Sequence, residues 1–196
     1  MNKLSLYGAG GHAKVIAEIA ELNNYTELVF CEDQTTKSRI WNYSVEPSIT
    51  DDGVCVLAIG SNAVRKRLAA SIKNTFVNLT HPKTQISKRV TVGEGTVIMA
   101  GASINADVKV GKHCIVNTNA SIDHDCIIED FVHLSPNVAL GGTVFVGEGS
   151  HIGIGACVIQ GIKIGRWCTI GAGAVIIKDI PDGCVVVGNP GRIIKK

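Results

Sequence analysis

The chain has 196 residues, enough for one domain or two small ones. Its net charge is +2, with no basic run denser than Arg65-Lys66-Arg67 or Lys195-Lys196, which leaves no nucleic-acid footprint. No stretch approaches the roughly eighteen apolar residues of a membrane-spanning helix, Met1-Asn2-Lys3 runs straight into an apolar strand rather than a signal peptide, and seven cysteines without paired spacing point to a reduced, cytoplasmic protein.

Residues 1–80 read as a first domain. Lys3–Tyr7 is a buried strand, followed by Gly8-Ala9-Gly10-Gly11-His12-Ala13 and then by helical apolar spacing from Lys14 to Leu22. This is G-x-G-x-x-A between a strand and a helix, a nucleotide-binding turn with Ala in the last glycine place. Its glycines let the backbone approach a phosphate, and the helix N-terminus offers free N–H groups to an anion. A second strand, Leu28–Cys31, ends in Glu32-Asp33, where a carboxylate can hold ribose hydroxyls. A third, Val54–Ile59, closes on Gly60-Ser61-Asn62 before a helix from Ala63 to Lys73, and 76–79 reads as a short fourth strand. The alternative is a tight βα turn with no ligand. The segment is half of what a two-lobed dinucleotide fold needs, so a mononucleotide, such as the UDP or GDP end of a nucleotide-sugar, fits better than NAD.

His81-Pro82 marks the joint into a second domain, 81–196, organised by a period of six. From Ile86 every sixth residue to Ile176 is aliphatic, sixteen positions in unbroken register. The position four further on is small or β-branched almost throughout, and Gly follows the aliphatic in pairs such as Val92-Gly93, Val146-Gly147 and Ile152-Gly153. A helix cannot bury this period on one face, because a six-residue step advances about 240° net around its axis. An extended chain that turns a corner every hexad can, with the aliphatic inside and Gly or Asn supplying the unusual corner angles. Three sides close a coil of about eighteen residues, giving a little over five coils. Cys114, Cys126 and Cys168 take the small inward position and read as core residues.

Residues eighteen apart stack about 4.8 Å from one another along such a coil. That places Gly142 above His124, Asp125 above Asp107, and His151 above His133, the last pair near a corner. Ionisable groups are sparse, so Asp123-His124-Asp125 stands out: His124 occupies a non-core position and can act as a general base with a carboxylate beside it. Asn117 lies seven residues earlier.

The hexad register, the Gly8–Ala13 turn, Glu32-Asp33, the Ala58–Asn62 stretch with Arg65, the segment 115–126 and the ending Val187-Gly188-Asn189-Pro190-Gly191-Arg192 together resemble the hexapeptide-repeat sugar acetyltransferases. That group includes UDP-4-amino-sugar N-acetyltransferases, perosamine N-acetyltransferases and sialic-acid O-acetyltransferases. The resemblance implies a Rossmann-like half domain followed by a left-handed parallel β-helix, and a homotrimer with sites between subunits. It implies acetyl-CoA as co-substrate, no metal, and a nucleotide-sugar acceptor. By the same resemblance His124 removes a proton from the sugar amine, supported by Asp125, which stands where close relatives often carry Glu, and by Asn117. His133 contacts the acetyl end, backbone at Gly142, Ile154, Gly155, Ala172 and Gly173 lines the pantetheine groove, and Gly10, Gly11, His12, Asp33 and Gly60 hold the nucleotide-sugar.

Three other readings remain at this stage. An O-acetyltransferase of a sialic-acid-like sugar shares the scaffold and base. A γ-type carbonic anhydrase needs paired histidines on one coil, which these spacings do not give. A non-catalytic scaffold leaves His124-Asp125 and the glycine turn unexplained.

Overall fold

The computed structural model describes residues 2–49 and 53–196. The first part holds β1 (Lys3–Tyr7), α1 (Gly11–Leu22), β2 (Glu27–Cys31), β3 (Arg39–Ile40), β4 (Tyr43–Glu46), β5 (Val54–Leu57), α2 (Asn62–Ser71) and β6 (Thr75–Phe76). They build one sheet in the order β3-β4-β2-β1-β5-β6, parallel except for the β3–β4 hairpin. The hairpin is absent from the sequence reading because strands this short show no alternation. Helix α1 starts three residues earlier than its apolar spacing suggests, so His12 and Ala13 lie in its first turn. The expected strand over 76–79 is divided. Thr75–Phe76 closes the first sheet, whereas Leu79–Thr80 pairs with Val97–Ile98 as the first rung of the coil. Asn78 makes the handover, its side-chain oxygen accepting from the Thr96 N–H at 3.0 Å.

From there the chain winds through three faces of parallel two-residue rungs. The first face includes Val97–Ile98, Ile115–Val116, His133–Leu134, His151–Ile152 and Thr169–Ile170. The second includes Ser103–Ile104, Ser121–Ile122, Ala139–Leu140 and Cys157–Val158. The third includes Lys109–Val110, Ile127–Ile128 and Phe145–Val146. Val97 pairs with Ile115, and Ile115 with His133, which is the eighteen-residue coil. The coil extends past the hexad stretch at both ends, with Leu79–Thr80 before it and Val185–Val187 after it. The inward aliphatics form one continuous core, with Cys114, Cys126 and Cys168 buried among them.

Gly or Asn supplies the corner angle, as expected, at Gly95, Gly101, Asn119, Asn137, Gly149, Gly155, Gly161 and Gly173, but the glycines divide into two groups. Those directly after the aliphatic do not adopt the unusual corner angle. A Cβ on Gly93 would stand 2.6 Å from the Gly111 backbone, and one on Gly147 2.6 Å from the Gly165 backbone. These positions are glycine because successive coils touch there. The left-handed φ falls two residues later and recurs every sixth residue: Gly101, Asp107, His113, Asn119, Asp125, Phe131, Asn137. Ring-bearing residues adopt it as well as Gly, Asn and Asp. The corner geometry overrides local preference at His113, Phe131, Thr143 and Trp167.

The two parts share a hydrophobic cluster. Ile16 and Ile19 of α1 pack in one core with Leu79, Val97, Met99 and Ile115 from the first coil face. Arg65 of α2 is 1% exposed and bridges the parts. Its guanidinium donates to the carbonyls of Ile59 (3.1 Å), Gly60 (2.9 Å), His113 (3.1 Å) and Phe131 (2.9 Å). The planar five-donor fork suits four carbonyls spread over both parts of the chain, a task a lysine cannot perform. Burial pulls its pKa down to about 10, so it remains a buried cation at neutral pH. Asn62 adds a bond to the Gly149 carbonyl at 2.9 Å, and Lys66 pairs with Glu148.

Candidate active site

The coil has three edges, and the residues chosen from sequence lie on two of them and on one face. His124 stands on the edge between the second and third faces, after the rung Ser121–Ile122. The left-handed backbone of Asp125 (φ 59°) turns its carboxylate back toward the preceding imidazole. Oδ2 lies 2.8 Å from His124 Nδ1. Asp123 completes the turn, its Oδ1 accepting from the His124 backbone N–H and from Asn105 Nδ2, each at 2.8 Å. The Asp125 bond, and then the Asp123 charge, hold the His124 pKa above the ordinary imidazole value. With Nδ1 committed to Asp125, Nε2 is free for chemistry on an exposed edge. Gly142 lies one coil on, and a Cβ there would come within 2.7 Å of His124 Cε1 and Nε2.

Asn117 is on the edge between the first and second faces, and its partner is His133 rather than His124: Nδ2 lies 3.1 Å from His133 Nε2. Ile154, Gly155, Ala172 and Gly173 share this edge, tied coil to coil by bonds such as Gly173 N–H to the Ile154 carbonyl (2.8 Å). Gly155 and Gly173 both have left-handed φ, and a Cβ on either would meet open space, so this edge is a ridge of accessible backbone. Gly142 therefore does not line the same edge as the other donor residues. His133 and His151 stand outward from the first face, not at a corner, stacked with ring centroids 4.7 Å apart and 9° between planes. His12 approaches His133 from α1, its ring centroid 6.3 Å away. Burial, reinforced by Arg65, lowers His12 to about 4; burial, with the neighbouring His151, Arg65 and His12, lowers His133 to about 3. Both are neutral near pH 7. His133 and His151 also have their Nε2 atoms engaged, by Asn117 and Ser135.

In the first part a cleft of about 270 Å³ opens at the carboxyl ends of β1, β2 and β5, lined by Tyr7, Gly8, Asp33, Ile59, Arg67 and neighbours. Asp33 lies in it, accepting from the Tyr7 hydroxyl. Burial, together with that bond, pushes Tyr7 up to about 12. Gly10, Gly11 and Gly60 do not line the cleft; they stand beside it with open space where a Cβ would be. Gly8 is the glycine the fold requires: its φ is 131° and a Cβ would come within 2.5 Å of the Ala58 carbonyl oxygen. Neither α1 nor α2 has a side-chain cap or an acidic residue in its first turn. Sequence reasoning did not reach Tyr7, Arg67 or Lys37, whose ammonium donates to the Ala9 carbonyl at 2.9 Å. Lys37 lies in an irregular stretch with no motif to mark it.

Comparison with known proteins decides the family. The family model described as the PglD N-terminal domain matches residues 3–72, and that described as bacterial transferase hexapeptide (six repeats) matches 89–124 and 143–178. The acetyltransferase domain of PglB from Neisseria gonorrhoeae is 38% identical, superposes with a TM-score of 0.94, and the match covers 99% of this chain and 100% of that one. The chain belongs to the hexapeptide-repeat sugar acetyltransferases. Its coil is the left-handed parallel β-helix of that family. The Neisseria domain has also been solved with acetyl coenzyme A, at 39% identity and the same TM-score, with 98% of this chain and 99% of that one covered. PerB from Caulobacter crescentus, solved with CoA and GDP-perosamine, is 34% identical with a TM-score of 0.92 over 100% of this chain and 98% of that one. UDP-N-acetylbacillosamine N-acetyltransferase of Bacillus subtilis is 42% identical over 113 residues, about half of either protein (51% and 52%). Among the described residues, no helix is long and apolar enough to cross a membrane.

Proposed function

We propose that the chain transfers the acetyl group of acetyl-CoA to the amine of a nucleotide-linked amino sugar of the UDP-4-amino-4,6-dideoxy-N-acetylglucosamine type, in bacterial glycan biosynthesis. The observation that carries this reading is His124, with Nδ1 bonded to Asp125 at 2.8 Å and its ring seated in the space that Gly142 leaves, which keeps Nε2 available as the base. The amine nitrogen attacks the thioester carbonyl, Nε2 takes the proton the nitrogen sheds, and the carbon–sulfur bond breaks to release CoA. A general base in this position contributes roughly 10²–10⁴-fold. The relatives' complexes with acetyl coenzyme A and with CoA plus GDP-perosamine support both halves of the reaction.

His124 and Gly142 occupy one edge, whereas Asn117, Ile154, Gly155, Ala172 and Gly173 occupy the next. We read this as a site shared between copies in a homotrimer, with one edge of each subunit laid against the other edge of its neighbour. The second face, between these edges, presents the small outward residues Ser103, Ser121 and Ala139, which permit close approach around a threefold axis. Acetyl-CoA then lies along the cleft between subunits. The nucleotide occupies the cleft at Asp33, with the phosphates at the uncapped start of α1.

The test is thiol release from acetyl-CoA with a UDP-4-amino-4,6-dideoxy sugar, GDP-perosamine and free sialic acid as acceptors. Release with an amino-sugar nucleotide supports the reading. Release only with sialic acid moves the enzyme to hydroxyl acceptors, and silence with all three rejects the acceptor class.

A further inference from the structure

The coil repeats one side-chain bond on consecutive turns. Asn117 reaches His133 Nε2 at 3.1 Å, and eighteen residues later Ser135 reaches His151 Nε2 at 2.8 Å. The two imidazoles so held are stacked 4.7 Å apart and nearly parallel. The direction of the lower bond is fixed by its surroundings. Asn117 Oδ1 accepts from the Thr118 backbone N–H at 2.8 Å, so its Nδ2 is the group turned to His133, and His133 Nε2 must accept. His133 is therefore the neutral Nδ1–H tautomer, with Nδ1 buried away from solvent. Protonation would place a hydrogen on Nε2, facing the Asn117 amide hydrogens, and would break the arrangement.

We infer that His151 and Ser135 are positioning residues for acetyl transfer: Ser135 holds His151 over the face of His133 and so keeps that ring neutral, and neutral His133 fixes the Asn117 carboxamide at the edge where acyl transfer takes place. The inference rests on the acetyltransferase reading above. The groups facing His133 agree with it. They are His12 from α1, Arg65 from α2 and His151 from the adjoining rung, all neutral or cationic, and only the Gly60 carbonyl favours the charged ring. A neutral His133 explains why a histidine can stand beside a buried arginine with no carboxylate acting on either among the described residues.

Two variants separate stacking from mere bulk. His151→Ala opens the face of His133 to water, whereas His151→Phe preserves a flat, uncharged cover. Nitrogen-15 NMR of the histidine side chains in the full-length protein reads tautomer and titration directly, without turnover. The wild-type His133 should show a protonated Nδ1 and an accepting Nε2 that does not titrate while the fold persists. In His151→Ala its titration should move up toward the range of free imidazoles. The kcat of His151→Ala relative to wild type should then fall by up to about fourfold between pH 8 and pH 6, the loss of neutral ring for a group titrating near 6.5, with acceptor KM unchanged. His151→Phe should restore both readouts. An Nε2–H tautomer in the wild type, or a His133 titration unaltered in His151→Ala, overturns the inference. Because the NMR readout needs no acceptor, failure of the acetyltransferase reading would be seen separately, as absent turnover in the wild type.

Discussion

The imidazole of His124 fills the space that a side chain on Gly142 would need, with Cε1 and Nε2 each 2.7 Å from the position of a Cβ there. The two residues are eighteen apart and belong to successive coils, so the absence of a side chain at one position allows the base at the other. Gly142→Ala should displace the ring and lower kcat by roughly tenfold or more, within the range a general base supplies. In a His124→Ala background the same change should have almost no further effect, since residues that act as a unit are non-additive. Additive losses in the double variant would show that Gly142 acts independently of His124.

Asp125 controls the pH at which the base works. Its bond favours the imidazolium, so the His124 pKa lies above the ordinary value. The neutral ring is the active form, and its share grows as pH rises through that pKa; activity is therefore lost on the acid side. Asp125→Asn removes the negative charge, so the acid limb of kcat should move to lower pH. A limb that stays in place, measured in the same buffer series, would mean that another group sets it.

The two kinds of glycine in the first turn should behave oppositely. Gly8→Ala meets the Ala58 carbonyl at 2.5 Å in a backbone region that L residues rarely adopt. It should destabilise the fold by about 1–3 kcal/mol, read as a lower Tm. Gly10→Val points into open space and should leave the Tm within about 2 °C while raising the acceptor KM by blocking phosphate approach. A normal KM for Gly10→Val would reduce the turn to a purely structural role.

The period of six and the strand–turn–helix start were legible in the sequence because both are repeated or local patterns. Asp33 was found the same way, at the end of a strand after a glycine turn. What escaped were facts of register between distant segments. The Arg65 clamp joins α2 to corners at His113 and Phe131, and nothing near Arg65 announces those carbonyls. The pairing of Asn117 with His133 joins residues sixteen apart on different turns, so chain proximity suggested His124 instead. Likewise the role of Gly93 and its counterparts comes from backbone contact between coils, which a local view of corner angles does not contain.

Because His124 and Asn117 lie on different edges, the proposed trimer, with its site shared between subunits, permits complementation. His124→Ala and Asn117→Ala homotrimers should each be nearly inactive. Co-expressed and mixed at random around a closed ring, they should recover about a quarter of the wild-type sites. No recovery in verified mixed trimers would place both residues in a single-chain site.

The most direct test is CoA release from acetyl-CoA with a UDP-4-amino-4,6-dideoxy sugar, comparing wild type with His124→Ala at saturating donor. The wild type should turn over, and His124→Ala should be slower by roughly 10²–10⁴-fold with its acetyl-CoA affinity retained. Equal rates in the two proteins would contradict His124 as the base and, with it, the mechanism built on this edge of the coil.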